Sequence, residues 1–420
     1  MYLSFFTSVL LALFQGSSAC LHNHIRTPKL QDVQDALSKR SVPAAVKTAI
    51  TNVRVFDGYT IGEPETVIID GEYITDCDDN IQHTIDGGNR ILIPGLIDAH
   101  SHVITVEGLE NNTAYGVTTI FNMACSDIEI CLALKSNPGL TSVFTTLLPA
   151  LGPSGGNTQL NTVLPEQVLR PGADPKALVG YSFNNGSDYF KVVGELDGPT
   201  QNQYDEIVNH THSLGQFTVA HAAGNTPYTR AVSAGVDVVQ HIPDDALLCS
   251  SVIQAMKEHN LAATPTMEIF RRAYTIQPEI GQFLRGNKTS NNSATTTTYE
   301  NVLANVRSLY EAGVPILAGT DAVGSTLPIV YIPFGDTLHQ ELVNLVDIGM
   351  TPAEALRAAT LVPATVHRLN DRGAIRPGLR ADLVLLNSDP LVNISNTRDI
   401  AKVWVGGIEY PNVAKSSFLE

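Results

Sequence analysis

Two histidines one residue apart, His100 and His102, close the run Ile93-Pro-Gly-Leu-Ile-Asp-Ala-His-Ser-His102. Strand side chains alternate with period two, so an extended backbone here aims both imidazoles at one point and turns Ser101 away. Two neutral imidazoles meeting at a point suit a borderline cation such as Zn2+. The apolar residues Ile91, Leu92, Ile93, Leu96 and Ile97 read as a buried strand, broken by Pro94-Gly95 just upstream of the pair. Histidines so spaced also occur as surface or hydrogen-bonded core residues, so the metal reading depends on further ligands downstream.

The elements that must hold such ligands follow from the apolar pattern. After Ile91–Ile97, runs of strand character recur at Thr118–Asn122, Val143–Leu148, Tyr189–Val193, Phe217–Ala220, Val236–Gln240, Leu261–Thr264 and Val314–Ala318, with helix-length spacers between most of them. Eight such units over about 275 residues predict an α/β fold, a (β/α)8 TIM barrel spanning residues 93–370. The competing doubly wound sheet lacks support, because no Gly-x-Gly-x-x-Gly follows a first strand and no Walker loop appears. Short β-rich runs at Val53–Phe56, Val67–Ile69, Tyr73–Thr75 and Thr84–Ile85, punctuated by glycines, and later runs at Ala381–Leu386 and Ile400–Val405 predict a small β-sandwich domain built from both chain ends, residues 41–92 and 371–420. Between them, Thr351-Pro352 with Glu354 predicts a capped helix start. The Asn/Thr-rich stretch Gly286–Thr298 reads as an exposed loop.

Barrel active sites lie at the C-terminal ends of the strands, and polar residues there are candidates for chemistry. Read in order, the first strand ends in His100 and His102, the fourth carries Lys191, the fifth ends in His221, the sixth in His241 and the eighth in Asp321. Singly, each has an ordinary alternative: Lys191 on a surface strand, His221 and His241 in a hydrogen-bonded core, Asp321 as a helix N-cap. Together, on successive strand ends, they outline a metal site.

At these residues the chain resembles the amidohydrolase superfamily. The resemblance rests on Pro94-Gly95-Leu96-Ile97-Asp98-Ala99-His100-Ser101-His102, and on a tail in which Gly349-Met350-Thr351-Pro352 precedes Arg376-Pro377-Gly378-Leu379-Arg380-Ala381-Asp382-Leu383-Val384 and Val403-Trp404-Val405-Gly406-Gly407. The fourth-strand lysine is similar to that of the binuclear zinc branch, which includes imidazolonepropionase-like peptidases, prolidases and ochratoxinase-type amidases. The resemblance implies two Zn2+ per chain, bridged by Lys191 carboxylated with CO2, one metal held also by His100, His102 and Asp321, the other by His221 and His241. It further implies a water shared by the metals as nucleophile and Asp321 as general acid and base. The activity so implied is cleavage of an amide bond in a small-molecule or peptide-like substrate. A lactonase or esterase, a decarboxylase or isomerase, and a non-catalytic relative are the alternatives, since a fold does not decide a reaction. Where such dipeptidases often carry an aromatic residue or His after the fifth-strand histidine, this chain has His221-Ala222-Ala223-Gly224, so a different pocket is expected. Tyr228 and Arg230 are candidates to bind a substrate carboxylate there, with helix-surface roles as the alternative.

The ends and the composition bound the setting. Residues 1–19 are uncharged and apolar and finish in Ser17-Ser18-Ala19, which reads as a secretory signal peptide, and residues 20–40 finish in Lys39-Arg40, a dibasic pro-peptide signal. Sequons at Asn111, Asn185, Asn209, Asn287, Asn291 and Asn393 suit glycosylation of a secreted chain. Of the cysteines that would remain after processing, Cys125 and Cys131 are near enough to be bridged, with two buried thiols as the alternative. The formal charge of −16 argues against nucleic acid or an anionic membrane as partner. A homo-oligomer is compatible with all of this.

Overall fold

The computed structural model describes residues 28–414 except 126, 136, 156, 159–162, 279, 281–283, 285–296, 328 and 329. The expected signal peptide and the sequons at Asn287 and Asn291 lie outside the described residues. Strands are β1 Thr48–Phe56, β2 Ile61–Asp70, β3 Tyr73–Thr75, β4 His83–Asp86, β5 Ile91–Pro94, β6 Leu96–Ser101, β7 Val117–Asn122, β8 Ser142–Thr145, β9 Phe190–Val193, β10 Thr218–His221, β11 Val238–Gln240, β12 Ala262–Thr264, β13 Gly324–Leu327, β14 Val330–Ile332, β15 Leu383–Leu386, β16 Ile400–Val405 and β17 Ile408–Tyr410. Helices are α1 Leu30–Ser38, α2 Val106–Ala114, α3 Ile128–Leu134, α4 Lys176–Asn184, α5 Gln201–Ser213, α6 Asn225–Ala234, α7 Ser250–Glu258, α8 Met267–Thr275, α9 Tyr299–Ala312, α10 Asp336–Asp347, α11 Pro352–Ala358 and α12 Leu361–Val366.

Parallel strands β6-β7-β8 and β9-β10-β11-β12 form two arcs, and single backbone bridges join them into a barrel. Ala150 N donates to Lys191 O at 2.9 Å on one side; on the other, the stretch 314–318 lies between β12 and β6, with Leu317 N on Ala263 O at 2.9 Å and Ala99 N on Ala318 O at 3.0 Å. The eighth strand is therefore present as a backbone path held by bridges rather than as a regular ladder. Ile97, Phe121, Met123, Tyr189, Phe217, Val219, Val238, Ala262 and Leu317 share one core cluster, while Ile120, Phe190, Val192, Ala220, Val239 and Ala263 belong to another packed with helix residues such as Val232 and Leu309. Along β10 and β11 the two sets alternate, as a strand buried on both faces requires.

Ile91–Ile97 is not one strand. Gly95 N turns to Asp382 O at 2.7 Å and Leu96 N to Gly116 O at 2.9 Å, so β5 stays in the small sheet and β6 begins the barrel. The change of partner is tight: a Cβ on Gly95 would collide with the side chain of Thr118. The domain boundary falls at Gly95 rather than between residues 92 and 93. The small domain is built from both chain ends as expected, but as a single eight-stranded sheet ordered β17-β16-β15-β5-β1-β2-β3, with β4 beside β1. It curls until Tyr73 of β3 bridges Arg380 beside β15, and its inner face buries Ile50, Val53, Ile69, Leu92, Leu383 and Trp404 together. Helix α11 starts as the sequence predicts, Thr351 accepting from Glu354 N in a capping box with Pro352 in the first turn.

Helix α1 lies in the segment read as a pro-peptide, and it is docked. Val33 is buried in the main core, and Arg40 Nη2 donates to Pro138 O at 3.1 Å. Cys125 and Cys131 form a disulfide, while Cys77 and Cys249 are exposed thiols. Asn111, Asn209 and Asn393 are exposed; Asn185 is half-buried, its side chain bonded to Tyr181 O at 2.8 Å. No helix among the described residues is long and apolar enough to cross a membrane.

His367 follows α12 and stacks on Phe121 with ring centroids 3.7 Å apart, near Phe217 and Tyr189, with neither ring nitrogen hydrogen-bonded. Burial pushes it down to about 3. In the unfolded chain it titrates near 6.5, so as pH falls through that value only the unfolded state gains the proton, and stability drops down to the folded value, by up to about 1.4 kcal/mol per pH unit. His367→Phe is expected to preserve the stacking and to raise the melting temperature more at pH 4.5 than at pH 7.5. An equal change at both pH values would refute the assignment.

Candidate metal centre

The strand ends gather the predicted ligands. His100 and His102 Nε2 lie 3.2 and 3.0 Å from Asp321 Oδ1, and His241 Nε2 lies 3.9 Å from Asp321 Oδ2. Ring centroids of His100 and His241 are 4.8 Å apart, and those of His221 and His241 4.4 Å. Lys191 is buried on β9, between Phe190 and Val192. The ligand atoms of His100, His102 and Asp321 all lie within 4.8 Å of one another.

Local backbone makes this convergence possible. The register of β6 on β7 slips between Asp98 and Ser101, so the aim of the two histidines is set by an irregular strand end rather than by alternation alone. Gln240 and His241 are adjacent yet both reach inward, because His241 has φ +71° and breaks the alternation of β11. Asp321 has φ +55°, again in the left-handed region. Strain of this kind persists where the surroundings over-determine it. Gly319 lets the eighth strand approach β6: a Cβ there would meet Thr264 Cγ2 and stand 3.0 Å from His100 Cβ.

Three of the four histidines have one nitrogen committed to an outer partner. His100 Nδ1 is 2.9 Å from Gln240 Oε1, His241 Nδ1 2.8 Å from Thr266 Oγ1, and His221 Nε2 3.1 Å from Leu284 O. A ring N–H donated outward leaves the other nitrogen's lone pair for a ligand role, as in metal sites generally. Asp98, just ahead of the pair, accepts from His100 N at 3.0 Å and Thr320 N at 3.1 Å, and its Oδ2 takes the Thr320 hydroxyl at 2.6 Å, tying the ends of β6 and the eighth strand together. Gln240, Thr266, Thr320 and the Leu284 carbonyl were not foreseen, since no local pattern points to them; Asp98 was visible only as part of the histidine motif.

The electrostatics favour a cation. Burial pushes His100 down to about 4, His221 to about 3 and His241 well below the usual range, so all three are neutral donors. Burial alone would raise Asp321, but His100, His102 and His241 around it hold its carboxyl well below the usual range. Burial pushes Lys191 down to about 8, with Asp321 pulling the other way. His100 Nε2 and both Asp321 carboxylate oxygens are buried without a hydrogen-bond partner, which an oxygen- and nitrogen-coordinated cation would satisfy. The donor set fits zinc.

The two substrate-binding candidates are placed otherwise than expected. The Tyr228 ring is fully buried, its hydroxyl 3.5 Å from Met256 Sδ, so it is a core residue of α6. Arg230 donates to Pro199 O at 2.9 Å and reaches Glu195 O at 3.5 Å, bracing the turn after β9.

Residues 180–408, over half the chain, match the amidohydrolase family. The chain belongs to that family. An adenine deaminase of Gluconobacter oxydans is 26% identical over 361 residues, covering 81% of this chain and 55% of the deaminase. The chain thus spans about half the length of that relative. Among solved structures, a putative prolidase from Bifidobacterium longum superposes with a TM-score of 0.75 at 22% identity, covering 90% of this chain and 97% of the prolidase. An ochratoxinase of A. niger gives 0.68 at 20% identity, covering 87% and 96%. These structural likenesses show the shared amidohydrolase fold, a barrel with an attached β domain.

Proposed function

We propose that the protein is a secreted binuclear zinc amidohydrolase that cleaves an amide C–N bond in a small or peptide-like molecule. The observation that carries the reading is the cluster of buried His100 and Asp321 with half-buried His102, in which His100 Nε2 and both Asp321 oxygens lack a hydrogen-bond partner. One zinc would be held by His100, His102 and Asp321, a second by His221 and His241, with Lys191 as a carbamate contributing to both. Bound zinc would supply Lewis acidity for the scissile carbonyl and for the attacking water.

The chain's own groups do the rest. Burial lowers the cost of a neutral Lys191 amine, and a neutral amine is the form that adds CO2, forming the N–C bond and releasing one proton. Asp321 Oδ1 faces His100 and His102 at 3.2 and 3.0 Å, whereas Oδ2 lies 3.9 Å from His241 Nε2. Oδ2 is the atom we assign to take the proton of the attacking water and pass it to the leaving nitrogen. The neutral outer partners of the histidines keep the rings from turning.

Purified protein is expected to contain about two zinc per chain. Chelation should abolish activity and lower the melting temperature, and added zinc should restore both. One zinc or none in active protein would overturn the binuclear assignment. Among N-acyl amino acids, dipeptides, aryl amides and lactones, turnover confined to lactones would overturn the amide reading. Export is supported by the composition of residues 1–19, and sequencing the N-terminus of protein from the culture medium tests both that and processing after Arg40.

A further inference from the structure

Helix α8 starts without a side-chain cap, although Thr266 at its N-cap position is of a type that usually provides one. Thr266 has φ +50° and ψ +49°, a conformation that β-branched residues seldom adopt, and its hydroxyl is turned away from the helix to His241 Nδ1, 2.8 Å distant. The cap comes instead from another helix. Glu341 of α10 sets Oε1 on Met267 N and Oε2 on Glu268 N, each at 2.8 Å, across 74 and 73 residues of sequence. Thr266, Glu341 and His241 are all buried, so none of these bonds has water as a substitute.

We propose that Glu341 is a positioning residue for the metal site: by capping α8 in place of Thr266, it holds that residue in its left-handed turn and leaves the hydroxyl to fix the His241 ring. In the ligand-competent tautomer the His241 Nδ1–H donates to Thr266 Oγ1 and Nε2 keeps its lone pair. The cap and the ligand are thus coupled through one residue. A Thr266 that capped its own helix would release the imidazole. The inference rests on the reading of His241 as a ligand of the second zinc.

The test uses the zinc-loaded full chain, with zinc retention against a competing chelator and the absorption spectrum of the cobalt-substituted protein as readouts. Glu341→Gln, which keeps size but loses one acceptor, and Thr266→Val, which keeps the branched shape but loses the hydroxyl, are each expected to weaken retention of one zinc by about 10- to 100-fold. Thr266→Ser should retain wild-type affinity. Combining Glu341→Gln with Thr266→Val should add little to Thr266→Val alone, because both act through one contact. Val343→Ala, which loosens packing on the same helix without touching the cap, should lower the melting temperature and leave zinc affinity unchanged. Wild-type affinity in Thr266→Val, or an equal loss in Val343→Ala and Glu341→Gln, would overturn the proposal. His241→Ala separates the two levels: if it keeps two zinc, the reading of His241 as a ligand fails, whereas loss of a zinc in His241→Ala but not in Glu341→Gln or Thr266→Val refutes only the coupling.

Discussion

Lys191→Ala is expected to yield a folded protein with one zinc or none per chain and a kcat/KM lowered by about 10³-fold or more, equivalent to about 4 kcal/mol of transition-state stabilisation. Folding should survive, because the change removes a buried amine from an interior where its charged form is disfavoured, offsetting part of the cavity left behind. The metal should not survive intact, because Lys191 is the one proposed ligand that contributes to both ions. Its neighbours His221 and His241 are neutral and bring no negative charge to the second ion. Lys191→Arg makes the comparison sharper: it keeps a cation on β9 but cannot become a carbamate, so it should lose metal as Lys191→Ala does. Metal analysis and a carbon-13 signal from protein prepared in labelled bicarbonate check the carbamate directly. A fully active Lys191→Ala enzyme would sink the bridging role.

The candidate ligands stood out because each interrupts or ends an apolar run: Lys191 breaks Tyr-Phe-Lys-Val-Val, and His221, His241 and Asp321 close Val-Ala-His, Val-Gln-His and Ala-Gly-Thr-Asp, breaks in hydrophobicity that a buried strand tolerates only for a purpose. What holds those ligands was not legible. His100 meets Gln240 across 140 residues and Glu341 meets Met267 across 74, and no periodicity announces a contact between elements so far apart. The same reason explains the reach of Gln240 and His241 to one site, which needs a positive φ that a strand pattern does not contain. Strand limits went astray where the chain changes sheets. The apolar run from Ile91 to Ile97 is continuous in composition, yet its hydrogen bonds pass from the small sheet to the barrel at Gly95. Tyr228, read as a candidate for a substrate carboxylate or as a helix-surface residue, is instead buried, with its hydroxyl on a sulfur, a contact between helices that no local pattern announces.

Asp321→Asn is expected to separate metal binding from proton transfer. The amide is isosteric and its carbonyl oxygen can still face His100 and His102, so zinc content should fall less than in Lys191→Ala. It cannot accept and return a proton, so kcat should drop by about 10²- to 10⁴-fold with KM little changed, the pattern of an interaction used in the transition state. The size of the loss should depend on the leaving group. An alkyl amine must be protonated to depart, whereas an activated phenol departs as its anion, so an aryl ester should suffer less from Asp321→Asn than the matching alkyl amide. If both lose activity equally, Asp321 acts only as a ligand and the proton returns by another route. If kcat stays within tenfold of wild type on the amide, the general acid and base lies elsewhere, and Asp98 does not replace it, because its carboxyl is already filled by His100 N, Thr320 N and the Thr320 hydroxyl.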